Sequence, residues 1–459
     1  MAQENVLGTE KVGRLLLQFS VPTAMALIVN SLYNMVDQIF IGRAVGVDGV
    51  AATNVAFPLF ILTAAIALLI GDGCAANISL ALGRKEKEQA EKFLFNGLYL
   101  LFFGALSICF AGLAFLKPLL LFFGASAAVL EISMAYTNIL LWSIPFSMAT
   151  MAMTAIIRAD GNPRYMMKTM LLGAVINLIL DPIFIFKLDM GVKGAALATI
   201  IGQFVSGGLA LAYIRKLKHI RYRGDFVLEK SYMGKILKLG FPSFCTQTAT
   251  AATQIVLYNL MRKYGQFSPY GSEITLSGYG IMTKLYQIAH AMFVGLAAGT
   301  QPIHGFNFGA GKRSRVRQTY RIAFVTSMVI SFVWFGIFRW GGAALAGVFV
   351  QDEPLFLEFT QYCFRSYMLA FFLYGPPQIT SSFFQALGKP MKALFVALAR
   401  QVLFLIPLAL LLSGQRGLEG ALLAAPAADT LAFVMAMAMV IYEFRSWKRP
   451  EGNEEPRCK

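Results

Sequence analysis

Asp37 and Asp181 are the two side chains of this sequence whose positions ask most plainly for a chemical reason. Asp37 interrupts the apolar run 14–40 and Asp181 the run 167–187. Ionisable groups inside a bilayer are costly, and their default reading is functional. Tyr33 precedes Asp37 by four residues and Asn177 precedes Asp181 by four, so each pair shares a helix face. Asn30 falls near the Asp37 face, and Thr199 reaches a similar depth on the following run. Two carboxyls, amides, a hydroxyl and a phenol form an oxygen-rich set. It suits a proton or a hard cation such as Na⁺ and not a soft metal. Two carboxyls held together away from water cannot both stay charged cheaply, so the pair is suited to loading and releasing a cation.

The elements that carry these residues follow from composition. The 459 residues are 57% hydrophobic and 14% charged, against roughly 25% charged in soluble domains. Apolar runs long enough to cross a bilayer as helices recur along the whole chain. They are too long for the ~10-residue alternating strands of a barrel. The expected fold is all-α and polytopic, with twelve spans near 14–40, 52–81, 93–116, 132–157, 167–187, 193–214, 233–261, 274–305, 319–349, 356–385, 391–412 and 418–444. Most of the 40 lysines and arginines lie in loops on one side of these spans, which places both termini in the cytoplasm of a multi-pass inner-membrane protein. The same distribution makes the net charge of +16 a matter of topology, with lipid as the partner and not nucleic acid. No cleavable signal segment is expected, because the polar start runs straight into a full-length span. The five cysteines are scattered and show no metal-binding spacing.

The chain states one pattern twice. Gly71 to Gly83 with Arg84-Lys85 recurs as Gly299 to Gly311 with Lys312-Arg313; Arg158-Ala-Asp-Gly-Asn-Pro163 recurs as Gln385-Ala-Leu-Gly-Lys-Pro390; Gly191-Val-Lys-Gly-Ala-Ala recurs as Gly417-Leu-Glu-Gly-Ala-Leu. The offsets are 228, 227 and 226 residues. Six spans per repeat make the halves parallel, related by an axis along the membrane normal. The expected organisation is an N-lobe (1–214), a basic cytoplasmic linker (215–232), a C-lobe (233–445) and a tail (446–459). The acids do not repeat: Asp37 maps near Tyr258 and Asp181 near Leu408. The scaffold is kept in both halves and the carboxylates in one.

Weaker signals surround this pair. Pro22 and Pro242 occupy matching places in the first span of each half and are hinge candidates. Met151, with its methionine neighbours, is a candidate for an adaptable substrate pocket. Gln254 and Lys284 are the corresponding polar candidates in the second half, and Lys284 lies at a depth where it could pair with Asp429. The roles of Asp72, Arg365, Arg400 and Asp429 are left open by the sequence.

Taken together, the first-span pattern Pro22 to Val36-Asp37 with Phe40-Ile41-Gly42, the Arg158–Pro163 turn, Asn177-Leu-Ile-Leu-Asp181-Pro182 and Gly194-Ala-Ala-Leu-Ala-Thr199 resemble the multidrug and toxic compound extrusion (MATE) family over essentially the whole chain. The resemblance is to the bacterial branch related to DNA-damage-inducible F proteins and staphylococcal-type pumps. It implies V-shaped lobes, alternating access and export of cationic, amphipathic compounds in exchange for H⁺ or Na⁺. It also implies a first-lobe cation site at Asp37, Asp181, Asn177 and Thr199, with Tyr33 and Asn30 as polar partners. A sister branch carries acids on helices seven and ten; here those helices offer Gln254, Gln378 and Gln385.

The resulting expectation is a monomeric secondary antiporter, not an enzyme, with no cofactor and no metal beyond Na⁺ at Asp37 and Asp181. The alternative is a flippase for a lipid-linked precursor, which calls for a strongly cationic cavity. Only Lys284, Arg365 and Arg400 are available to line one.

Overall fold

The computed structural model describes residues 6–125, 127–220, 228–347 and 354–447. Those residues form helices and contain no strands. The first half comprises α1 (Val6–Thr9), α2 (Val12–Val45), α3 (Val47–Gly83), α4 (Lys87–Ala114), α5 (Leu116–Phe122), α6 (Ala127–Leu141), α7 (Ile144–Ala159), α8 (Pro163–Pro182) and α9 (Gly191–Ala212). The second comprises α10 (Lys230–Gly265), α11 (Gly271–Gly309), α12 (Arg313–Gly347), α13 (Pro354–Tyr367), α14 (Gly375–Ala386), α15 (Pro390–Leu398) and α16 (Ile406–Ser446). Parts of the predicted linker (221–227) and tail (448–459) lie outside the described residues.

Eight helical stretches are each long and apolar enough to cross a membrane, and the bent pair α6–α7 makes a ninth. The stretch Pro390–Ser446 holds two crossings, because its helix turns at Gly417, whose φ of 59° and ψ of −130° are not helical. Gly191 opens α9 with a φ of 54° at the matching point of the first repeat. Both positions require the left-handed region that glycine enters without steric cost. The 36-residue α10 and the pair α13–α14 complete twelve.

Two predicted spans prove to be broken where a single helix was expected. The fourth bends by 54° between α6 and α7, where Pro145 supplies no N–H for the preceding turn. The tenth breaks between Tyr367 and Gly375, just before Pro376 and Pro377. In contrast, Pro22 and Pro242 sit buried inside the continuous helices α2 and α10.

The lobes meet along α2 with α11 and α3 with α10 and α11. Their contacts lie at the end that holds α1 and the close of α16: Asn307 and Lys312 of the second lobe donate to the carbonyls of Leu7 and Gly8 of the first, each at 2.9 Å, beside the packing of Trp447 on Phe308 within the second lobe. The backbones come very close there. A Cβ placed on Gly240 of α10 would lie 1.7 Å from the carbonyl oxygen of Leu69 on α3, so only glycine permits this crossing. Towards its other end α2 packs on α8 of its own lobe. Each lobe has its own core: one is built around Met153, Ile157 and Tyr213, the other around Phe293, Phe371 and Tyr374.

Candidate functional site

The site begins with the turn that starts α8. Asn162 caps the helix by accepting a hydrogen bond from the Tyr165 N–H at 3.3 Å, and Pro163 supplies a first helical residue that needs no N–H partner. α8 then runs close against α9. A Cβ on Gly173 would sit 2.4 Å from Ser206 Oγ and 2.9 Å from the Gly202 carbonyl oxygen. This backbone approach brings Asn177 and Thr199 together. The Asn177 Nδ2 donates to Thr199 Oγ1 and to Asp181 Oδ1, both at 3.3 Å.

Asp37 on α2 is brought up to this cluster, close enough for its carboxyl and that of Asp181 to act on one another electrostatically. Asp37 is 8% exposed and Asp181 1%, so neither faces lipid or open water. One oxygen of each carboxyl, Asp37 Oδ1 and Asp181 Oδ2, is buried without a donor among the described residues, and so is Asn177 Oδ1. A buried acceptor left unpaired costs roughly 1–3 kcal/mol, and more when charged. Three such oxygens in one place form a site suited to a proton shared between the acids or to a small cation. A second chamber adjoins it, a cavity of about 30 Å³ lined by Asn30, Tyr33, Asn177, Thr199 and Gln203. One water needs roughly 10–15 Å³ on this scale, so it has room for two or so.

Asp37, Asp181, Asn177, Thr199, Tyr33 and Asn30 are thus gathered in the first lobe, as their helix faces implied. Two neighbours were missed. Gln203 shares the cavity lining with Tyr33, and Tyr136 on α6 stands within electrostatic reach of both acids. Gln203 was legible, lying one turn after Thr199; Tyr136 depended on how α6 packs. The other candidates are not part of this cluster. Met151 is 36% exposed on α7, and Gln254 is half-buried on α10.

The Lys284–Asp429 pair does not form. Lys284 lies exposed on α11, and buried Asp429 instead accepts from the Arg400 Nε. The π-helical stretch Ala399–Leu405 carries Arg400 into the lobe core, where its guanidinium stacks 4.7 Å from the Tyr374 ring. Asp72 also gains a setting. It accepts from Ser243 Oγ of the other lobe at 2.8 Å and lies 3.9 Å from Arg158. Gln385, the repeat counterpart of Arg158, donates to the same Ser243 at 3.0 Å.

The family model MatE matches residues 22–183 and 264–411, well over half of the chain. The chain belongs to the MatE family. It is therefore a multi-pass membrane transporter and not an enzyme. Two relatives are similar along nearly their whole length. The multidrug export protein MepA of Staphylococcus saprophyticus is 27% identical, covering 94% of this chain and 93% of the relative. The protein of that name from Staphylococcus aureus strain NCTC 8325 is 25% identical, with 97% of each chain covered. Among solved structures, the MATE multidrug transporter DinF-BH is 30% identical, with a TM-score of 0.88 over 96% of this chain and 98% of that one. An outward-facing MATE transporter superposes with a TM-score of 0.89 at 22% identity, over 96% and 99% of the two chains. The family thus matches the architecture built from the helices above, twelve crossings in two lobes.

Proposed function

We propose that this MatE-family chain is a secondary active multidrug efflux antiporter that exports amphipathic, cationic compounds in exchange for H⁺ or Na⁺. The observation that carries the reading is the buried Asp37–Asp181 pair, with three acceptor oxygens that no donor among the described residues satisfies. The names of the relatives, multidrug export proteins, support multidrug export; the cationic, amphipathic character is carried by the family resemblance. Asn177 and Thr199 complete the cation's shell, and Tyr33, Asn30 and Gln203 line its approach. The lobes are residues 1–214 and 233–445. Both termini are cytoplasmic, because the basic loops gather at their end. The lobe contacts at that end support reading this as the arrangement closed to the cytoplasm.

In this state the acids take up the cation. Loading changes the charge of the N-lobe interior, and coupling follows if drug and cation favour opposite lobe arrangements. The flippase alternative has little charge to draw on: Arg400 is neutralised by Asp429, which leaves Lys284 and Arg365 as its candidate cations.

The test is dye efflux from proteoliposomes under imposed proton or sodium gradients, comparing wild type with Asp37→Asn and Asp181→Asn. Gradient-driven pumping is expected in wild type and not in either variant. Normal pumping by both variants would sink the coupling role.

A further inference from the structure

The C-lobe contains a second small cavity, of about 20 Å³, lined among others by Thr250, Pro377, Ala397, Arg400 and Gln401. It is the repeat of the N-lobe cavity. Shifting the N-lobe lining residues Thr150, Met170, Gly173 and Ala174 by 227 gives Pro377, Ala397, Arg400 and Gln401, the offset of the turns that precede α8 and α15. Asn30 aligns with Thr250 when Pro22 is set on Pro242. Gln203 aligns with Asp429 by the 226-residue offset that relates Gly191 to Gly417. The two cavities therefore share a place in the fold and differ in charge. The N-lobe copy has Gly173 and Gln203 where the C-lobe copy has Arg400 and Asp429. The N-lobe brings two acids beside its cavity and no fixed cation. The C-lobe counterparts of those acids, near Tyr258 and Leu408, are neutral.

The Arg400–Asp429 pair is almost wholly buried, at 4% and 2% exposure. Removing one member of such a pair strands the other charge. Gln401 points the same way: it is 7% exposed, lines this cavity, and its Oε1 has no hydrogen-bond donor. The Asp429 carboxylate meets the guanidinium directly, and the unpaired Gln401 oxygen lines the same cavity, so taking the guanidinium away leaves acceptors that call for a small cation.

We propose that Arg400 is a tethered counter-cation. Its guanidinium forms a fixed wall of the C-lobe copy of the N-lobe cavity and neutralises Asp429 there, so the C-lobe interior stays neutral through the cycle. Truncating it exposes, at Asp429, a site for a small monovalent cation of the guanidinium or ammonium class. The contrast with an exchangeable N-lobe site rests on the proposed function; the Asp429 site does not, and its test involves no transport.

Purified full-length protein in lipid nanodiscs is heated with and without millimolar guanidinium or methylguanidinium chloride. Arg400→Gly is expected to unfold well below wild type, and added guanidinium to raise its midpoint saturably, at least about threefold more than in wild type. Arg400→Gly combined with Asp429→Asn is expected to lose that response. An equal shift, or none, in all three proteins overturns the proposal. If Arg400→Gly does not fold, Arg400→Lys and the neutral pair Arg400→Gln with Asp429→Asn decide. Both folding supports a charge role; both failing shows that packing against Tyr374 is what matters and overturns it. The Asp37 and Asp181 variants can fail to couple without altering any of these outcomes.

Discussion

The Nδ2 of Asn177 lies 3.3 Å from Oδ1 of Asp181, one helical turn further along α8. The same nitrogen reaches Thr199 on α9. One amide therefore orients a buried carboxyl and ties it to a second helix, leaving the far carboxyl oxygen free to face Asp37. Replacing Asp37 or Asp181 by Asn keeps the shape and removes the charge. Coupling free energies of this kind correspond to about 5–150-fold. Either substitution is expected to abolish gradient-driven efflux and to remove an effect of that order of the cation on drug affinity, measured by fluorescence titration. Asn177→Ala should act in the same direction but less strongly, since both acids remain.

Gly240 is expected to tolerate no side chain. Its hypothetical Cβ falls 1.7 Å from the Leu69 carbonyl oxygen, a backbone atom that has no rotamer to yield. Gly240→Ala should hold the lobes apart at the terminal end. Hydrogen exchange of α3 and α10 should rise near residues 69–73 and 236–243, with efflux falling steeply. Unchanged exchange and efflux would mean that the lobes do not need this contact.

Ser243 and Asp72 form a bond between lobes that must break if the terminal end opens. Hydrogen bonds to charged groups contribute about 1.5–3 kcal/mol. Ser243→Ala is expected to shift the lobe equilibrium towards opening at this end by up to that amount. A probe attached to a cysteine at Ser79, buried beside Gly305, should react faster in the variant. An unaltered labelling rate would show the bond to be incidental.

His219 gives a pH dependence outside the spans. Asp160 at the Arg158–Pro163 turn is fully buried and accepts from the backbone N–H groups of Lys218 and His219, at 2.8 and 2.9 Å. Hydrogen bonding between the His219 ring and Asp160 raises the imidazole above its ordinary value of 6.5. A raised folded value means that the folded protein holds the proton more tightly. The contact's stabilisation is complete below about 6.5 and is lost as pH climbs through the higher folded value. Thermal midpoints measured from pH 6 to 8.5 should fall further in wild type than in His219→Gln. Parallel curves would exclude the contact as a pH-dependent brace.

Much of this molecule is written in local sequence. Long apolar runs dictate membrane helices because backbone polar groups in lipid must bond within their own segment. Repeated glycines and turns declare the two lobes. Residues four apart share a helix face whatever surrounds them, so Asn177 with Asp181 and Tyr33 with Asp37 were legible. Relations between helices were not. Whether Asp37 meets Asp181 depends on α2 lying against α8, and the choice of Arg400 over Lys284 as the partner of Asp429 depends on a π-helical turn that rotates Arg400 inward. Tyr136 beside the acids and Ser243 across from Asp72 likewise arise only when separate segments pack. Helical periodicity fixes which way a side chain points along its own axis; tertiary packing alone decides what it meets.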